Sequence, residues 1–294
     1  MTLAQLVPVL MQVSLTMVVI GLGLQTAPGD LGYLLRRPAL LLRSVLAMNV
    51  VTPLIAAGFA AWLKLKPEVE VALVLLAVSP VPPVLPGKEV KSGGNESYAI
   101  GLLAISAVLA IGAVPLSIAL ISRAFGLEAH VPASLIARVV VTSVLGPLFA
   151  GVLVGRLVPG LASRLARPLS KVGFAVLGVV FLVGIAGSWR SLTGAVGEFT
   201  VLAVVGFVLL SLVAGHVLGG PDEGDRTVLA LSAASRHPGV ALAVAGAVAQ
   251  DKNAISSAVL LAFLVGLIVT GPYTKWRKRT PGAAATSPAV AKKT

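Results

Sequence analysis

The stretch Leu76-Ala77-Val78-Ser79-Pro80-Val81-Pro82-Pro83-Val84-Leu85-Pro86-Gly87-Lys88-Glu89-Val90-Lys91 decides the fold. An apolar run leads into it, yet four prolines fall within Pro80–Pro86. Each removes a backbone donor and clashes with the preceding turn, so no continuous helix passes through. A second stretch, Leu229-Ala-Leu-Ser232-Ala-Ala-Ser235-Arg236-His237-Pro238-Gly239-Val240, is likewise apolar and likewise interrupted, here beside an arginine and a histidine. The rest of the chain sets the medium in which these breaks lie. Of 294 residues 57% are apolar and only 12% charged, with mean hydropathy +0.98. A soluble domain carries about a quarter charged residues, and disorder needs low hydrophobicity with high charge. Both are excluded, and the chain reads as an integral membrane protein.

A spanning helix takes about 20 apolar residues. Apolar runs fall at Gln5–Gln25, Pro38–Leu63, Val69–Val90, Tyr98–Ile121, Pro132–Leu157, Pro168–Gly187, Phe199–Leu218, Thr227–Ala249 and Ala254–Thr270. They predict an all-α membrane protein of nine spans, with the third and eighth discontinuous. The first run lacks a basic flank and a small-residue cleavage site, so it reads as a span and not a signal peptide. Residues 1–272 form the transmembrane domain, with a core around 69–122 and 224–271. Residues 273–294 read as a basic, disordered cytoplasmic tail.

Lys and Arg concentrate on cytoplasmic loops of membrane proteins. With the C-terminus inside, sixteen of the 23 basic residues fall inside and six outside, and Arg236 lies within a span. The expected topology is therefore N-terminus outside and C-terminus cytoplasmic, in a bacterial-type inner membrane. The net charge of +12 follows from this bias and calls for no nucleic acid; the surrounding partner is lipid. No cysteine is present, which removes disulfides and thiolate metal sites.

Irregular backbone at membrane depth survives only where protein or a wet cavity satisfies its free groups. The third span enters from outside and the eighth from inside, so the two breaks are inverted relative to each other. Paired broken helices in inverted halves point to a transporter site near the midplane.

At these residues the chain resembles the bile acid:sodium symporter family. The resemblance rests on Met17-Val-Val-Ile-Gly21-Leu-Gly23-Leu, Asp30-Leu, Arg36-Arg37-Pro38, Pro53, Gly94-Asn95 after the first break, and Gly239 at the second. It implies inverted repeats, two crossing broken helices and a panel domain beside the core. It also implies sodium coupling, from which this chain departs. The asparagine ligand position of sodium-coupled members falls on Pro86. Their glutamate, glutamine and asparagine of the second broken span fall on Ser232, Arg236 and His237, and a further glutamine falls on Met48, with Asn49 beside it. The set lacks the oxygens a hard cation needs, so no metal site and no cofactor are expected.

Arg236 keeps its proton, and a charge in hydrocarbon costs about 2.5–3.5 kcal/mol. Two readings stand side by side. Arg236 supplies permanent positive charge for an anionic substrate, or it pairs with Glu89 or with carbonyls freed by Pro80–Pro86 and braces the crossover. Lys88, Glu89 and Arg236 form a charge cluster in one reading; in the other, Lys88, Glu89 and Lys91 are solvated loop charge. His237 is either a proton-sensitive switch or a hydrogen-bond partner for a loose carbonyl. Ser79, Ser232 and Ser235 cap half-helix ends or bind substrate. Asn49 faces the cavity or packs, and Asn95 caps the fourth span. His216 has no evident partner, and His130 lies in an outside loop. The substrate-binding set is thus Ser79, Pro82, Asn49, Ser232, Ser235, Arg236 and His237.

A hydrolase would need a Gly-x-Ser-x-Gly or His-Glu-x-x-His pattern, and neither occurs. The resulting expectation is a secondary transporter of small organic anions, carboxylates among them, not an enzyme. Its coupling ion is open between sodium, proton and none. The alternatives are a sodium-coupled symporter of the bile acid type and a transport-inactive membrane sensor.

Overall fold

The computed structural model describes residues 3–124, 131–197, 199–248 and 251–279. His130 and residues 280–294, with Lys292 and Lys293, lie outside them. Among the described residues the chain is helical, without strands. In chain order the helices are α1 (Leu3–Gln25), α2 (Pro38–Val45), α3 (Thr52–Trp62), α4 (Pro67–Val78), α5 (Leu85–Lys91), α6 (Glu96–Ala124) and α7 (Ala133–Val140). There follow α8 (Gly146–Leu157), α9 (Pro159–Gly194), α10 (Thr200–Leu218), α11 (Glu223–Ala234), α12 (Pro238–Val248) and α13 (Lys252–Arg279). Two π-helical segments, Leu46–Val51 and Val141–Leu145, join α2 to α3 and α7 to α8.

Eight units among the described residues are long and apolar enough to cross a membrane. One of these, Glu223–Ala247, runs across the break between α11 and α12. The ninth segment is the pair α4 and α5, divided at 79–84. The sequence places that break at Pro80–Pro86, whereas the helix has resumed by Leu85. Pro86 sits in the first turn of α5, where a helix has no bond to lose at that N–H. The same logic puts Pro38, Pro67 and Pro159 at helix starts, whereas Pro53 and Pro147 sit just after the two π segments.

Two spans run longer than their apolar cores. α9 begins at Pro159 and carries Arg164 and Arg167 in its first turns, and α13 continues past Tyr273 to Arg279. The disordered tail expected from residue 273 is corrected over 273–279. That turn is helical because Arg277, 1% exposed, is held by α11. Its Nη1 meets Glu223 Oε2 at 2.5 Å, and its Nε donates to Thr227 Oγ1 at 2.8 Å.

One continuous apolar core joins α2–α7 to α10–α13. α1, α8 and α9 pack beside it, and α1 and α8 share the small cluster Val19, Ala104 and Leu148 with α6. α1 crosses α8 at Gly23 and Gly151. A Cβ on Gly23 would lie 2.4 Å from Leu148 O, and one on Gly151 2.4 Å from Ile20 O. Small residues permit this backbone approach where lipid supplies no hydrophobic drive. Large apolar side chains such as Leu54, Leu116, Phe149, Leu182 and Ile268 point outward, as a lipid-facing surface requires.

Candidate functional site

The two breaks meet. His237 N donates to Pro80 O at 2.9 Å, which ties the start of α12 to the strap between α4 and α5. The contact follows from what each stretch lacks. Proline-rich 79–84 has carbonyls in excess of N–H groups, whereas 235–237 still has donors to give.

Arg236 shows this most clearly. Its residue is 3% exposed. Nε donates to Ala77 O at 3.1 Å, Nη2 donates to the same carbonyl, and Nη2 also donates to Met48 O at 2.6 Å. Both acceptors are orphans for identifiable reasons. Ala77 O sits at the C-terminal end of α4, where Pro80 has no N–H and Val81 N turns to Ser106 Oγ. Met48 O lies in the π segment: Thr52 N bonds Ala47 O, and the next candidate donor, Pro53, has none. Thr52 Oγ1 also donates to Ala47 O, at 2.8 Å, which fixes that register. A guanidinium on carbonyls at a helix C-terminus is favoured by the helix dipole as well. Hydrogen bonds to charged groups contribute about 1.5–3 kcal/mol each, enough together to offset the insertion cost of about 2.5–3.5 kcal/mol. Arg236 Nη1 remains buried without a partner among the described residues.

A small pocket of about 30 Å³ lies beside Arg236. Ser235 and Arg236 supply its polar wall; Leu76, Phe207, Val208 and Phe263 supply apolar wall from α4, α10 and α13.

Ser79 Oγ donates back to Leu75 O at 2.6 Å and is buried, as is Pro82. Asn49 is half-buried on the π segment next to Met48. His237 accepts from Gly239 N at 3.1 Å through Nδ1 and so caps α12. In a neutral ring the hydrogen then resides on Nε2, which is buried without a partner among the described residues. Ser232 Oγ donates to Glu89 Oε1 at 2.6 Å.

Glu89 corrects an expectation. It is fully buried, not solvated loop charge, because α5 presents it to α11. Lys88 is half-buried with Nζ on Thr270 Oγ1 at 2.7 Å, and Lys91 is exposed. Glu89 also makes no ion pair with Arg236 among the described residues, so the three charges do not form one bonded cluster.

A polar knot at the α11 start was not anticipated. Tyr33 OH donates to Asp225 Oδ1 at 3.3 Å; Asn95 Nδ2 donates to Tyr33 OH at 2.6 Å and to Asp225 Oδ1 at 3.0 Å. Arg37 donates to Tyr33 OH and reaches Asp225 Oδ2 at 3.4 Å. Burial, and secondarily Asp225, push the Tyr33 phenol up to about 12, so it stays a donor. Asn95 also caps α6, accepting from Tyr98 N at 3.2 Å. The signal available in sequence was Gly94-Asn95 itself, though not its partners. His216, without an evident partner in sequence, meets Tyr273 OH at 2.9 Å.

A model of the sodium bile acid symporter family matches residues 12–193, from α1 through α9. The chain belongs to this family. It is an integral, multi-pass membrane protein of a family of secondary transporters. A relative from Bacillus subtilis (strain 168), described as the uncharacterized sodium-dependent transporter YocS, is 25% identical over 254 residues, covering 83% of this chain and 76% of its own. The second break lies beyond the stretch that the family model covers. Its likeness to the first therefore rests on the geometry of 235–239 against Pro80.

Proposed function

We propose that this member of the family carries small organic anions, carboxylates among them, by alternating access, with the fixed charge of Arg236 standing where relatives place a mobile cation. The observation that carries the reading is the buried Arg236 guanidinium at the wall of the pocket. Its Nε and Nη2 saturate Ala77 O and Met48 O, oxygens of the kind a monovalent cation would seek. Its Nη1 is buried without a partner among the described residues, so a carboxylate, for which the guanidinium fork is shaped, reaches it when the crossing opens. The apolar walls suit a substrate with a hydrocarbon body. Bracing and binding are thus divided between different nitrogens of one side chain. Around this centre one group of helices rocks against the other, with Ser79, Pro82, Asn49, Ser232, Ser235 and His237 lining or supporting the crossing. The charge bias of the loops supports a cytoplasmic C-terminus and an outside N-terminus in an inner membrane.

A second reading, sodium-coupled symport, is favoured by the name of the Bacillus relative. Uptake of radiolabelled small carboxylates into proteoliposomes, in sodium and in choline buffer, separates the two. Uptake that persists in choline and is lost in Arg236→Gln supports the tethered charge. A strict sodium requirement favours the second reading.

A further inference from the structure

The site leaves one buried acid unused. Glu89 has no exposed surface, one carboxyl oxygen on Ser232 Oγ at 2.6 Å, and the other, Oε2, with no partner among the described residues. No described Lys, Arg or His nitrogen lies within 4.0 Å of it. An ionised carboxylate in a dry interior needs pairing or several donors, and one hydroxyl is not that. A carboxylic acid asks much less of the same surroundings.

Its position couples it to both broken spans. Glu89 belongs to the half-helix that follows the first break, and Ser232 to the one that precedes the second. Gly94 lets them touch: a Cβ there would lie 2.8 Å from Glu89 O and 2.9 Å from Val228 Cγ2. Val228 and Ser232 share a face of α11, four residues apart. The charged and titratable groups around this contact are otherwise engaged. Lys88, on the same half-helix, donates from its ammonium to Thr270 Oγ1 of α13 and attracts the Glu89 carboxyl only through space, beyond ion-pair distance. Tyr98 of α6 bonds Ser44 at 2.7 Å. Asp225 of α11 is held by Asn95, Tyr33 and Arg37.

We propose that Glu89 is a proton-binding site of the transport cycle, holding a proton on Oε2 while α5 and α11 are packed and releasing it to water when they part. The O–H bond breaks, the electron pair stays on the carboxylate, and entering water takes the proton and hydrates the charge. The inference deepens the transporter reading and rests on it for the coupling step, though not for the protonation of Glu89.

Infrared difference spectroscopy of the purified full chain at neutral pH, wild type against Glu89→Gln, reads the acid without any substrate. A protonated-carboxyl carbonyl band that Glu89→Gln lacks, and that Ser232→Ala shifts without removing, is the expected result. In proteoliposomes under an imposed pH gradient, the wild type accumulates a radiolabelled carboxylate several-fold above equilibrium, and Glu89→Gln does not. Absence of the band, or gradient-driven accumulation intact in Glu89→Gln, overturns the proposal. Absence of any uptake by the wild type overturns the transporter reading instead, and the infrared band still decides whether Glu89 holds a proton.

Discussion

The two broken spans solve the same problem in opposite ways. The first is broken by subtraction: Pro80, Pro82 and Pro83 delete donors and leave carbonyls such as Ala77 O and Pro80 O facing inward. The second is broken over three residues, Ser235–His237, and contributes donors, one from a side chain at Arg236 and one from the main chain at His237. Neither break could persist alone at membrane depth, because its unmatched groups would have no water to turn to. Their complementarity teaches that the crossing is one hydrogen-bonded object. Its energetics are carried unequally, chiefly by whichever donor comes from a replaceable side chain.

That inequality can be broken by substitution, with effects graded by residue. Arg236→Met should have the largest effect. It strands Ala77 O and Met48 O, and at about 1–3 kcal/mol per buried orphan stability in detergent should fall by about 2–6 kcal/mol, read by thermal or denaturant unfolding. Gly94→Ala comes next. Its new Cβ meets Glu89 O of the α5 turn at 2.8 Å and Val228 Cγ2 of α11 at 2.9 Å, so that turn and α11 must shift apart at a cost of about 1–3 kcal/mol, with weakened protection of α11 amides in hydrogen exchange. His237→Ala should cost only about 1 kcal/mol, the value of a helix N-cap, because the bond to Pro80 O uses the main chain and survives. If His237→Ala matched Arg236→Met in its loss of stability, the division between side-chain and main-chain donors would be wrong. The smallest effect belongs to Thr52→Val, about 0.5–1.5 kcal/mol for one hydroxyl bond to Ala47 O. Should it instead approach Arg236→Met, the π register that exposes Met48 O depends on that hydroxyl.

The breaks and spans were legible because they are written locally. Pro80, Pro82 and Pro83 forbid regular helix whatever the surroundings, Pro238 can start a helix but not continue one, and twenty-residue apolar runs have one plausible solvent. The partners were not legible, because they are set by register and tertiary packing. Ala77 O could be inferred, in kind, from the prolines that follow it. Met48 O could not, since its availability depends on a one-residue π insertion that Pro53 and the Thr52 hydroxyl hold in place. Glu89 sits in Lys88-Glu89-Val90-Lys91, a charge-rich segment that reads as solvated until α11 is packed upon it. The Tyr33–Asn95–Asp225 knot joins three positions far apart in sequence, and no local pattern announces it.

The clasp of Arg277 on Glu223 and Thr227 has a practical corollary for handling the protein. The last helix is the bolt on the door of the second broken span, and its bolt lies seven residues from where an apolar count would end the chain's structured part at 270. Shortening the polypeptide to residue 272 removes that clasp, and should loosen α11 and yield poorly behaved material.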